Sequence, residues 1–87
     1  MRFKDTSFSK DGRYSIGIEE ESGKYYISIP VRNNYADYEE YYEISKIEFE
    51  EFSKDIRQAT ELAVRCRERA EDTRLMLQPS KERGWPT

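Results

Sequence analysis

The chain has 87 residues, with 15 Lys or Arg against 18 Asp or Glu for a formal net charge of −3, one cysteine and no histidine. That length sustains a single domain, 1–87, and not two. One cysteine excludes an internal disulfide, and the acidic balance excludes general nucleic-acid binding, which needs a basic face.

In chain order, RFKDTSF near the start reads as a short strand that turns through SKDG into Arg13. RYSIGIEE follows, with Tyr14, Ile16 and Ile18 on one face and Arg13, Ser15, Gly17 and Glu19 on the other, the alternation of a half-buried strand. After the turn-like EESG, KYYISIPV alternates Tyr25, Ile27, Ile29 and Val31 with Tyr26, Ser28 and Pro30, so the two strands read as a hairpin. Pro30 has no N–H for a ladder bond, and its strand is expected to be an edge or to end there. RNNYAD is a loop by composition. It leads to a strand with Tyr42 and Ile44 on one face and Glu39, Tyr41 and Glu43 on the other.

Ser45 with Glu48 three residues later is a capping box, and Ile44 before it can staple onto Phe49. Phe49, Phe52, Ile56, Ala59, Ala63, Cys66 and Ala70 then recur at spacings of three and four as one helical stripe. A single rod over 46–72 would be ~40 Å long, against a radius of gyration of ~12 Å for a domain of this size. A bend near SKD is therefore expected, with Asp55 as a second cap. TRLMLQP is assigned to a final short strand, and residues 79–87 to a carboxy-terminal tail. The fold class is α+β: a three- to four-stranded, mainly antiparallel meander followed by a bent or two-part helix packed on one face, with that short strand at the end.

The absence of histidine removes the commonest general base and metal ligand. Cys66 sits on the inner stripe, where a small core residue is the expected role. No glycine pattern forms a phosphate loop, so no catalytic residue, cofactor or metal is expected. What stands out is DYEEYYEISKIEFEEF, residues 37–52, with seven carboxylates and five aromatic rings around one lysine. Carboxylates steer a basic partner and tyrosines supply desolvated contact area. Asp37, Glu39, Tyr41, Glu43, Glu48 and Glu51 are the candidate partner-binding residues. Solvation of an outer strand face is the alternative explanation for the same charges. Trp85 in RGWPT is expected to fold back and cover an open end of the core, the alternative being an anchor offered to a partner.

In its size, its strand-then-helix order, its acidic YADYEEYYEIS and its RGWP end, the chain resembles the immunity proteins of contact-dependent inhibition and related polymorphic toxin systems. The resemblance implies a cytoplasmic inhibitor that neutralises one toxin domain, often a nuclease. A non-enzymatic adaptor or self-associating structural protein is the alternative, with a homodimer as its form. YYISIPV, the longest apolar run, is broken by Ser28 and Pro30 and is too short to cross a bilayer, and no signal peptide is recognisable, so a cytoplasmic protein without membrane contact is expected.

Overall fold

Four strands follow one another along the chain and pair in that order: β1 (Phe3–Ser9), β2 (Tyr14–Glu19), β3 (Tyr25–Arg32) and β4 (Asp37–Ile44), every pair antiparallel. The structure is a computed structural model describing residues 1–79 and 83–87. The opening RFKDTSF is a full strand with a bulge between Asp5 and Ser7. Its turn into β2 is closed by Ser9, whose hydroxyl accepts the Gly12 N–H and whose carbonyl accepts the Arg13 N–H, with Arg13 in the left-handed region at φ 55°. In the β2–β3 turn Gly23 adopts φ 74° in open space, so its backbone freedom and not its size is what the turn uses.

After β4 come α1 (Lys46–Lys54), a 3₁₀ turn at Ile56–Ala59 and α2 (Thr60–Arg67). The capping box forms as expected: Glu48 N–H donates to Ser45 Oγ at 3.1 Å, and Ser45 N–H to Glu48 Oε1 at 2.8 Å. The break falls at Asp55, whose carboxylate accepts the Arg57 N–H and starts the second helical segment. Ile16, Ile27, Ile29, Val31, Tyr42 and Ile44 on one sheet face pack against Phe52, Ala59, Leu62, Ala63 and Cys66. The radius of gyration is 12.1 Å, so the bend keeps the helical layer within the span of the sheet.

Three expectations are corrected. The helix stops at Arg67 instead of running to about 72, because Arg69 turns left-handed at φ 62° while Arg69 N–H bonds Cys66 C=O and Ala70 N–H bonds Arg65 C=O. This is a Schellman ending with arginine where glycine is usual, and it leaves Ala70 exposed. TRLMLQP is not a strand: Asp72–Arg74 form a 3₁₀ turn, Leu75 makes a single bridge to Tyr42, and the Met76 N–H bonds Tyr41 C=O without a ladder being continued among the described residues.

The carboxy-terminal strand comes later, as β5 (Trp85–Pro86), so residues 83–87 of the expected tail are docked; 80–82 of that tail lie outside the described residues. β5 pairs with Val31 and Arg32 of β3, beyond Ser28, where the pairing with β2 stops. Pro30 stands between the two partners, and its carbonyl accepts the Thr87 N–H at 3.1 Å. A strand residue's N–H and C=O leave by the same side, so the bond that proline cannot make falls in this gap, and β3 continues past it to Arg32. No helix among the described residues is long and apolar enough to cross a membrane.

Candidate functional site

Among the described residues the helices all pack on one face of the sheet and leave the other uncovered. In β4 the two faces alternate: Tyr38, Glu40, Tyr42 and Ile44 look toward the helices, and Asp37, Glu39, Tyr41 and Glu43 look away. Cross-strand partners share a face, so Arg32, opposite both Asp37 and Trp85, brings Trp85 onto this outer face as well. Its backbone folds back as expected, but its ring covers no core and is 55% exposed. Four of the six acidic and tyrosine candidates and the tail tryptophan thus share one helix-free surface.

The carboxylates there differ in state. Asp37 is held by Arg32 at 2.8 Å, and the guanidinium keeps its pKa below the ordinary value. Glu43 lies 3.5 Å from Lys24. Glu39 has no ion pair among the described residues; partial loss of hydration raises its pKa, outweighing the opposing pull of the neighbouring Ser28 hydroxyl, with Asp5 adding repulsion. That pull falls short of a formed bond: the buried Ser28 hydroxyl reaches no partner at hydrogen-bond geometry among the described residues. Glu39 also borders a hollow of about 460 Å³ floored by Ser15 and walled by Phe8, Lys10, Arg13 and Pro30.

Tyr41 is not the free aromatic surface that alternation suggests. Its ring stacks on Phe3 with centroids 3.6 Å apart, and both rings stand edge-on to Tyr26, at 5.3 Å from Phe3 and 5.0 Å from Tyr41. Tyr26 is completely buried under them, donates to Asp5 at 2.6 Å, and lies over Gly17, where a Cβ would come within 2.5 Å of its hydroxyl. Burial first and the Asp5 carboxylate second push the Tyr26 hydroxyl well above the usual phenol range. The outer face therefore carries a small aromatic core of its own, with carboxylates around it.

Glu48 and Glu51 do not join this surface. α1 packs on the opposite face, where Phe49 stacks on Tyr25 at 4.4 Å. Burial works to raise the Glu48 pKa, but the bonds from Arg74 at 3.1 and 3.3 Å and from the Ser45 amide outweigh it and lower the pKa. Arg74 also donates to Glu43 C=O, so Glu48 is spent on tying the helix start to the β4 edge. Glu51 is exposed on the helical layer.

Glu40, absent from the candidates, is the most buried carboxylate of residues 37–52. It points under the sheet and is gripped by Arg69, by Arg83 at 2.8 and 3.1 Å, and by the Tyr42 hydroxyl at 2.9 Å. Arg83 also pairs with Asp72 at 2.7 Å, Arg69 donates to Gly84 C=O, and Gly84 N–H donates to the Tyr38 hydroxyl. Burial alone would raise the Glu40 pKa; Arg83, Tyr42 and Arg69 outweigh it and lower it. The signal was present in the sequence, since Glu40 shares the phase of Tyr38, Tyr42 and Ile44, all inward. This cluster has the makings of a staple, not of a reaction centre: each acid is satisfied by a permanent cation. Burial raises the Cys66 thiol to about 12, which leaves it a poor nucleophile.

No family model, curated protein or solved structure matches the chain.

Proposed function

We propose that the chain is a non-enzymatic inhibitor of the immunity type, which acts in the cytoplasm by binding a basic toxin domain, a nuclease in the first instance, with the bare face of its sheet. The observation that supports this reading is the convergence of Asp37, Glu39, Glu43 and the exposed Trp85 on one helix-free surface. Asp37 and Glu39, two strand residues apart, stand ~7 Å from each other; with Asp37 and Glu43 already beside Arg32 and Lys24, Glu39 is the carboxylate best placed to meet a cation of the partner. Trp85 adds the large ring that carries affinity at protein interfaces. Because strands hold these groups, little ordering is needed on binding.

The test is co-expression with the reading frame directly upstream in the genome of origin. The reading expects that product to arrest growth when expressed alone and the chain to restore it. Glu39→Lys combined with Glu43→Lys should slow association in vitro, weaken its salt dependence and reduce protection. An upstream product without toxicity, or arrest that the chain does not relieve, overturns the reading.

A further inference from the structure

β4 pairs with β3 along one side only. In an antiparallel strand the backbone groups of alternate residues leave by the same side. Tyr41 C=O accepts the Met76 N–H at 2.9 Å and Glu43 C=O accepts from Arg74 at 3.1 Å, which places the N–H and C=O of Asp37 and Glu39 on that same outer edge. Past Met76 the chain stays alongside as Leu77, Gln78 and Pro79, but among the described residues no backbone hydrogen bond reaches Asp37 or Glu39 from outside. Along this stretch lies a hollow of about 320 Å³ bounded by Asn33, Ala36, Tyr38, Glu39, Leu77 and Pro79.

We propose that the open edge of β4 at 37–39 accepts an extended, basic segment of the partner as an added strand, with a Lys or Arg side chain on Glu39 and an apolar one in the hollow beside Leu77. The inference rests on the partner-binding reading above and names how the partner docks. An extended segment is specified because only a strand presents N–H and C=O groups at the spacing the edge requires. A basic one is specified because, among the described residues, Glu39 has no ion pair, whereas Asp37, Glu40, Glu43 and Glu48 each have one. The apolar side chain is specified by Leu77, half-exposed at the rim. A second copy of the chain is a poor occupant: two such edges paired antiparallel would set Asp37 and Glu39 against their own kind, and like charges directly opposite are destabilising.

The probe is a heptapeptide of alternating lysine and valine, blocked at both ends, added to the ¹⁵N-labelled full chain. The expected result is slowed exchange of the Glu39 amide, with shift changes centred on residues 36–41 and 77–79. Glu39→Gln should weaken binding by ~5-fold, the equivalent of one exposed ion pair. Methylating alternate backbone nitrogens of the peptide should abolish it. Shifts spread over Glu43, Glu50 and Glu51 with unchanged Glu39 exchange would mean charge attraction alone and would overturn the proposal, as would no binding at millimolar peptide or undiminished binding of the methylated form. Protection in co-expression is scored on separate variants, so an edge that takes no strand leaves the bare-face reading standing on its own result.

Discussion

Glu40 and Arg83, 43 residues apart in the chain, meet through hydrogen bonds of 2.8 and 3.1 Å beneath the sheet, and this pair fixes residues 83–87 to the domain. Removing one partner of a buried pair costs more than the pair contributes, because it leaves the other uncompensated. Glu40→Ala, which strands two guanidiniums, is expected to lower stability by ~3 kcal/mol, and Arg83→Ala, which leaves Arg69 in place, by less. Arg69→Gly would relieve a left-handed backbone by ~1 kcal/mol yet lose the ion pair, so a net loss is expected. Urea midpoints check all three; an Arg69→Gly chain as stable as the parent would show that the pair contributes no more than the strain.

The Glu19 carboxylate is almost fully buried at the β2–β3 turn, where the Ser22 hydroxyl and the amides of Arg2, Glu21 and Ser22 lower its pKa from the ordinary 4.5 to about 2. A carboxylate whose folded pKa is depressed adds stability that is complete above its unfolded pKa and is lost as pH falls through the folded one. The parent's advantage over Glu19→Gln in melting temperature should therefore be full at pH 6 and shrink as pH falls from about 4.5 toward about 2. A difference independent of pH would show that the charged form is not what the turn holds.

The outer aromatic cluster separates two kinds of residue on one face. Tyr41→Ala removes a stacked ring and is expected to cost ~1–2 kcal/mol, and Gly17→Ala, whose Cβ would sit 2.1 Å from Lys4 C=O, ~2 kcal/mol or more. Glu39→Lys should stay within ~0.5 kcal/mol of the parent. Thermal melts of the three decide the point, and a Tyr41→Ala chain with parental stability would return that ring to the role of free contact surface.

Ser45→Ala should cost ~1 kcal/mol, since the Glu48 amide loses its side-chain acceptor. Equal urea midpoints and slopes for mutant and parent would count against the cap.

Cys66 is fully buried and its thiol is raised to about 12, so a disulfide reagent is expected to modify it only at the rate of unfolding. Prompt labelling of the native chain would refute that.

Much of this architecture is legible in the sequence because the two periods are clean. Alternation through Tyr14–Ile44 places the strands, and the stripe from Phe49 to Cys66 with caps at Ser45 and Asp55 places the bent helix. What periodicity does not carry is pairing between distant charges. Glu40 reads as one more surface acid until Arg69 and Arg83 arrive from elsewhere in the chain, and a left-handed arginine ends a helix without the glycine that would announce it. The outer cluster was hidden for a related reason: Phe3 belongs to the least patterned strand, although Gly17 inside a strand was a usable sign of something lying close. Of the candidate surface, Asp37, Glu39, Tyr41 and Glu43 follow from phase alone. Glu48 and Glu51 are near that surface in sequence only, because the turn into α1 carries them to the opposite face.

The position of β5 bears on the order in which the molecule can be completed. Synthesis proceeds from the amino end, so four strands and both helices leave the ribosome before Arg83 does. Until then Glu40 has Arg69 alone, and β3 presents Val31 and Arg32 without their outer neighbour. A nascent chain at that stage carries an unfinished margin on a central strand, where a stray strand from another protein could lodge. Closure by residues 83–87 is thus the last step of assembly, and a released chain that stops after Gln78 should bind chaperones that recognise unpaired strands more persistently than one that carries β5.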